Sequence, residues 1–415
     1  MSEIRILEES EFDAFVDIVA GAYPAWEITS PEDAERVKGH LLEDHREEPT
    51  VTFYGLFRQG ELLGGMRFHD YTMNFLGTLI PAGGVGLIAV DLVHKKEHVA
   101  KEMVSYFLRH YREQGAPLAI LYPFRPDFYK RMGFGYGNKM SQYRVEPASF
   151  PRGPSKAHVR RLSRDDREAL AACYTRVMRR THGMIEKTEH ELARLFRRPQ
   201  HCFVGYEREG RIEGYLVFSF EKGEDFLQND MQVREIIYED REALSELLTF
   251  LHTQADQIRH VVLNIEDPFF HHLLSDPRNA SRSLIPSVYH ETNLQGVGLM
   301  YRVIDVPRAF ELLGERDFGG YSGTLRLTVE DTFLPANAGS TLVRFTDGHP
   351  HIVDHGAYDV EVRLEIAELS SLLAGAVPFR RLTTYGLAEI SDADQVETVD
   401  RIFAVREPPV CTTWF

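Results

Sequence analysis

A five-residue pattern occurs twice in this 415-residue chain at a fixed spacing. Phe53, Gly55, Arg58, Gly60 and Gly64 return 150 positions later as Phe203, Gly205, Arg208, Gly210 and Gly214. Each copy reads as a strand, a glycine turn and a second strand, so each predicts a hairpin. One hairpin match can arise by chance. Tyr143-Arg144-Val145, however, is echoed by Tyr301-Arg302-Val303 at a spacing of 158, in the same order along the chain. Two ordered echoes point to a duplicated domain whose second copy carries a net insertion of about eight residues.

Between the echoes of the first copy lies the stretch with most chemical content. Gly86-Leu87-Ile88-Ala89-Val90 reads as a buried strand, and Lys95-Lys96-Glu97-His98 as a basic turn. Val99, Met103, Phe107, Leu108 and Tyr111 then follow a helical period, with Gly115 and Pro117 as stop signals. Leu118 to Tyr122 is a second strand, and Pro126 to Met132 a helical turn closed by Gly133. Amides at a helix start, next to two lysines, suit a phosphate or pyrophosphate. Two parallel strands splaying beside such a turn admit a long, thin cofactor. The bland alternative is an ordinary strand–turn–helix with a solvated lysine pair.

With Tyr129-Lys130-Arg131-Met132-Gly133-Phe134-Gly135-Tyr136 added, residues 85 to 137 resemble the acetyl-coenzyme A core of the GNAT (Gcn5-related) N-acetyltransferases. Lys95-x-x-His98-x-Ala100 stands where that family has Gln/Arg-x-x-Gly-x-Gly/Ala. The departure is His98, because glycine lets backbone approach a phosphate with no Cβ in the way. His98 must therefore point outward or hydrogen-bond the phosphate. The resemblance implies acetyl-coenzyme A as co-substrate. Backbone groups of Ile88, Ala89 and Val90 would pair with its pantetheine arm, and Val90 would aim an N–H at the thioester oxygen. Those of Lys95, Lys96, His98, Val99 and Ala100 would hold its pyrophosphate.

The second copy differs at the corresponding turn, where Glu239, Asp240 and Glu242 would repel a pyrophosphate. Its helix, with Ala243, Leu247, Phe250 and Leu251, keeps the pattern, so this copy is read as structural or wall-forming. Pro151-Arg152-Gly153-Pro154-Ser155 reads as a linker. From about Pro307 the pattern becomes α+β, with a helical stretch, alternating strands around an Asp347-Gly348 turn, and a helix from Ala367 to Ala374. The expected fold class is α+β / α/β: a catalytic GNAT domain (1–150), a degenerate GNAT domain (151–306) and an α+β domain (307–415) that resemblance to the Eis (enhanced intracellular survival) acetyltransferases implies to be sterol carrier protein-like.

It is this order, with a phenylalanine as last residue, that resembles the Eis acetyltransferases. The resemblance implies homo-hexamers and acetyl transfer to an amine: aminoglycoside-like, polyamine or lysine. It also implies Tyr129 as the acid protonating the leaving sulfur and the terminal carboxylate of Phe415 as general base. A phenol with a pKa near 10 fits the first role. A terminal carboxyl is a weak base unless burial raises its pKa. The plain alternatives are a tyrosine packing its helix and a tail packing its own domain. Acidic positions of well-known aminoglycoside-acetylating members fall at Ala25 and Trp414 here, with Glu27 nearby as a substitute. Trp26 and Trp414, the only tryptophans, suggest an aromatic-lined pocket for one cation, although core packing explains either equally well.

Bulk properties narrow the remaining classes. A formal charge of −16 disfavours nucleic acid as a partner. No apolar run approaches the ~20 residues that span a membrane, and Met1-Ser2-Glu3-Ile4-Arg5 does not open a signal peptide. Three scattered cysteines fit a reducing cytoplasm. His271-His272 and His349, His351 and His355 lack metal-ligand spacing, so no metal is expected. The rival expectation is a non-catalytic protein that holds an apolar ligand in the sterol carrier-like domain.

Overall fold

In the computed structural model, which describes residues 2–223, 228–281 and 283–415, the two repeated hairpins lie in two separate seven-stranded sheets. The chain divides into two compact units. The stretch ending at Gly137 joins Leu299–Glu407 and Trp414–Phe415, whereas Asn138–Gly298 joins Pro408–Thr413.

The first unit opens with β1 (Ser2–Ile6), α1 (Phe12–Ala22) and α2 (Pro31–Glu47). Then come β2 (Val51–Arg58), β3 (Glu61–Phe75), β4 (Thr78–Val90), α3 (Val99–Glu113), β5 (Leu118–Leu121), α4 (Pro126–Lys130) and β6 (Gly135–Tyr136). Strands β1 to β4 form an antiparallel meander, and β5 joins β4 in parallel. Helix α3 buries Val99, Met103, Val104, Phe107, Leu108 and Tyr111 on one face of the sheet. Helix α1 buries Phe12, Phe15, Val16 and Val19 in a second cluster. A sheet lined with apolar residues on both faces needs such cover on both. Gly115, at φ 80°, ends α3 where the sequence places its stop.

The second unit contains β7 (Lys139–Val145), β8 (Val159–Arg161), α5 (Arg167–Met178), α6 (Glu189–Arg197), β9 (Cys202–Arg208) and β10 (Arg211–Glu221). It continues through β11 (Asn229–Tyr238), α7 (Arg241–His252), β12 (Ile258–Ile265), the short pair β13 (Leu284–Ile285) and β14 (Tyr289–His290), and β15 (Leu294–Val297). Its sheet order is β15-β7-β12-β11-β10-β9-β8.

The two echoed tripeptides pair in different sheets. Tyr143-Arg144-Val145 lies on β7 and pairs with β12 in the second sheet. Tyr301-Arg302-Val303 lies on β16 (Met300–Val303) and pairs with β5 in the first. The echoed segments are thus exchanged between the two copies. Linker composition marks where a chain can turn, not which sheet receives the strand before it. Tyr143 and Val145 find their core among Leu263, Phe270 and Leu247.

After β16 the chain forms α8 (Val306–Leu312), β17 (Gly323–Glu330), β18 (Gly339–Thr346), β19 (His349–Val353), β20 (Val360–Glu365) and α9 (Ile366–Leu373). A five-stranded sheet holds β17 to β20 and the short strand Ala388–Ile390. Asp347 and Gly348 both have positive φ, 50° and 86°, as the β18–β19 hairpin requires. Helix α9 is buried along its whole length, and Ser370 Oγ accepts the Val303 N–H at 2.9 Å.

Candidate active site

Strand β4 pairs with β5 over only Ala82–Gly84, opposite Leu118–Ile120. Beyond Gly84 no strand among the described residues pairs with β4 on that side, so β4 and β5 splay into a cleft. A bulge sharpens the divergence. Gly65 faces Ala89 and Arg67 faces Gly86, leaving Leu87 and Ile88 against one residue of β3, with Leu87 at φ 48°. The Asp91 N–H bonds to the Leu63 carbonyl at 2.9 Å, so Asp91 and Ala89 turn their backbone groups toward β3. Val90, between them, faces the cleft. The Ile88 carbonyl also leaves the ladder and accepts the Tyr23 hydroxyl at 2.9 Å. Of the three backbone contacts expected for pantetheine, Ile88 and Val90 therefore face the cleft, and Ala89 does not.

The turn into α3 is held from outside. Arg58 donates to the Glu97 carbonyl at 3.3 Å and to Glu102 at 2.7 Å, and His94 meets Glu97 at 3.2 Å. Lys95, Lys96 and His98 are exposed, Val99 is buried and Ala100 half-buried. Lys96 and His98 are left-handed, at φ 68° and 65°. His98 thus adopts the conformation that glycine adopts without strain, which is the physical reason glycine is usual there. No side chain caps the first turn of α3, so its amides remain available to an anion.

Helix α7, the counterpart in the second sheet, is closed. Asp240 caps it by accepting the Ala243 N–H at 2.9 Å, and Arg208 holds Asp240 at 3.0 Å and Glu242 at 2.6 Å. Glu239 is bound by Arg176 and Arg211. The three carboxylates expected to repel a pyrophosphate are each fixed by arginine. Where Arg67 faces Gly86 in the first sheet, Val217 faces Glu235 in the second. Glu235 is ion-paired with Lys187, both side chains being under a tenth exposed, and it accepts the Tyr215 hydroxyl at 2.9 Å.

Tyr129 stands on α4 with its side chain among Phe124, Phe128 and Phe134, at ring separations of 5.2–6.0 Å. It is 2% exposed. Burial pushes its phenol well above the ordinary value, with a smaller push from the Tyr23 phenol. Burial raises Tyr23 to about 12, against a weaker opposite pull from Arg67. Tyr23 thus feels Arg67, and Tyr129 feels Tyr23.

Phe415 ends on the floor of the same cleft. A Cβ built on Gly86 would lie 3.2 Å from the backbone carboxyl carbon of Phe415 and 3.6 Å from Arg67 Nη2. Asp44 of α2 lies 3.4 Å from Arg67 Nη1. The Phe415 ring packs against His69, Tyr71 and Tyr122 at 5.2–5.3 Å. Trp414 stacks on Tyr122 at 5.2 Å and 15°. Trp26 leans on Tyr23 at 5.8 Å, and Glu27 follows at φ 51° with its side chain exposed. Both tryptophans are therefore surface rings on tyrosine supports rather than core residues.

Residues 3–137 match the family model of an acetyltransferase (GNAT) domain, 177–303 a second GNAT family model, and 306–412 a sterol carrier protein domain. The chain is a GNAT N-acetyltransferase. It carries two GNAT domains followed by a sterol carrier protein domain. It is similar to an N-acetyltransferase of Streptomyces griseus, 26% identical over 389 residues, covering 87% of this chain and 88% of that one. Its fold is shared, over 100% of both chains, with a GCN5-related N-acetyltransferase from Anabaena variabilis (TM-score 0.81, 18% identity). Eis1 from Mycobacterium abscessus is similar in fold over the same span (TM-score 0.77, 20% identity).

In this acetyltransferase the first compact unit holds Tyr129, Phe415, Ile88, Val90 and the α3 turn around one cleft, with Trp26, Glu27 and Trp414 exposed beside it. Tyr23, Arg67, Asp44, Tyr122 and Phe124 lie there too, and the sequence reading singles out none of them for the site. Arg67 carries one usable signal, a charged residue in an otherwise apolar stretch of strand. Tyr23 carries none beyond lying beside Trp26.

Proposed function

We propose that the chain transfers acetyl from acetyl-coenzyme A directly to an amine, at one site per chain in the first GNAT domain. The contrast between helix starts carries this reading. The first turn of α3 has no side-chain cap and lies beside two lysines, whereas that of α7 is closed by Asp240. Coenzyme A brings the thioester to be cleaved, and the first turn of α3 and the cleft edge of β4 would hold it.

The chain's own groups then divide the proton work. The incoming ammonium gives up a proton to the Phe415 carboxylate. The amine nitrogen attacks the thioester carbonyl carbon, the carbon–sulfur bond breaks, and Tyr129, kept protonated by burial, gives its proton to the departing sulfur and recovers one from the acylated nitrogen. The Val90 N–H stabilises charge on the acetyl oxygen. The base assignment requires Phe415 to be the last residue of the native chain, which the intact mass of purified protein reads directly. Assembly as a homo-hexamer is part of the same proposal, and its solution mass checks it.

Thiol release from acetyl-coenzyme A, followed over a panel of amines, tests the activity. Tyr129→Phe is expected to lower kcat by about 10²-fold or more while leaving coenzyme A affinity nearly unchanged. Residues appended after Phe415 are expected to abolish turnover without unfolding the protein. A fully active Tyr129→Phe variant removes Tyr129 from the mechanism, and an active extended form removes the terminal base.

A further inference from the structure

The acceptor side of the cleft is aromatic rather than acidic. Trp26, Phe124 and Trp414 are 43%, 61% and 59% exposed. Trp26 and Phe124 both rest on Tyr23, at 5.8 and 6.4 Å, and Trp414 rests on Tyr122 at 5.2 Å. Single exposed aromatic rings are ordinary on protein surfaces. Three around one cleft, each fixed by a tyrosine, are a prepared apolar surface.

The charges point the same way. Arg67 holds a fixed positive charge on the cleft floor, with Asp44 at 3.4 Å as its counter-ion and Phe415 beside it. Glu27, next to Trp26, adds one exposed carboxylate at the rim. A molecule bearing several ammonium groups needs several free carboxylates, whereas Asp44 is already paired with Arg67 on the floor. A single ammonium on an apolar body meets aromatic faces that attract it and bury the rest.

Resting on the acetyl-transfer reading above, we infer that the acceptor is a primary monoamine carried on an aromatic or extended apolar body, selected by Trp26 and Phe124. Trp26 stands beside Tyr23, which holds the Ile88 carbonyl, and Phe124 packs edge-on against Tyr129 at 5.9 Å. A ring lodged between them would lie beside Tyr23 and Tyr129.

The test is steady-state thiol release with phenethylamine, ethylamine, spermidine and kanamycin, using the full chain and the variants Trp26→Ala and Phe124→Ala. Phenethylamine is expected to exceed both polycations in kcat/KM by about tenfold or more. Each variant should cost phenethylamine about tenfold, chiefly through KM, and ethylamine less than about threefold. A preference for spermidine or kanamycin overturns the inference while leaving acetyl transfer intact. Equal losses for phenethylamine and ethylamine in both variants also overturn it. No thiol release with any amine, from protein that binds coenzyme A in calorimetry, defeats acetyl transfer and this inference together.

Discussion

The carboxyl carbon of Phe415 lies 3.2 Å from the point where a Cβ on Gly86 would stand. The glycine is thus the seat on which the tail rests, at the bulge of β4 and beside Arg67. A methyl group there is tighter than ordinary van der Waals contact and must displace the tail or the strand. Gly86→Ala is expected to lower kcat by about 10²-fold, because a shift of about 1 Å in a reacting group has that scale of effect. Its unfolding free energy should change by no more than about 1–3 kcal/mol, the usual cost of slight overpacking. Unchanged turnover in a folded Gly86→Ala protein would show that the tail's position is irrelevant to the reaction.

A second expectation concerns pH. Tyr129 must carry its proton to act as an acid, and burial raises its pKa above the ordinary value. The donor then stays loaded through neutral and mildly alkaline pH and is lost only as pH rises through the raised value. The kcat–pH profile should show no fall attributable to Tyr129 below about pH 10, the unperturbed phenol value. Comparing wild type with Tyr129→Phe checks this. A descending limb near neutrality that vanishes in the variant would contradict it.

His98 gives a third. Its φ of 65° places a side chain where backbone must approach phosphate, yet the side chain is exposed. His98→Gly removes the Cβ and the left-handed strain, which is of order 1 kcal/mol. Added freedom of the unfolded chain offsets that gain by about 0.4–1 kcal/mol, so stability should hardly move. Coenzyme A should bind equally well or up to about tenfold tighter in titration calorimetry. Weaker binding would instead show that His98 contacts the phosphate.

What the sequence discloses is the local part of this design. The hairpins, the length of α3, its glycine stop and the Asp347-Gly348 turn follow from periodicity and backbone preference within a few residues. The tandem GNAT order is likewise visible in repeated motifs. The exchange of the Tyr-Arg-Val strands is not, because both strands have the same alternation and either sheet accepts them. Nor is the meeting of Arg67, Gly86, Tyr122 and Phe415, which lie far apart in the chain. Burial of Tyr129 is a third hidden fact, since its aromatic surroundings come from both ends of α4. The phase of Ala89 is set by the β3–β4 bulge, which strand alternation alone does not disclose.

The exchanged strand also supports the site from behind. Arg302, brought by β16, is fully buried and paired with Asp331 at 2.9–3.0 Å. Asp331 also accepts from the Leu334 N–H at 2.8 Å and from Asn337 at 3.2 Å. Burial pulls the Arg302 pKa down while Asp331 opposes it. Gly133, which ends the Tyr129 turn at φ 84°, sits so close that a Cβ there would lie 2.8 Å from the guanidinium carbon. Arg302→Met leaves Asp331 charged and buried without its main partner, a change that costs about 3–5 kcal/mol. Urea unfolding should show that loss, and the Arg302→Met, Asp331→Leu double variant should recover part of it because no buried charge is left alone. If the turn relies on this pair, kcat falls in the single variant under conditions where the protein is still folded, while ethylamine and phenethylamine lose in equal proportion. A single variant as stable as wild type would mean that the buried pair contributes nothing to holding β16 and the Tyr129 turn in place.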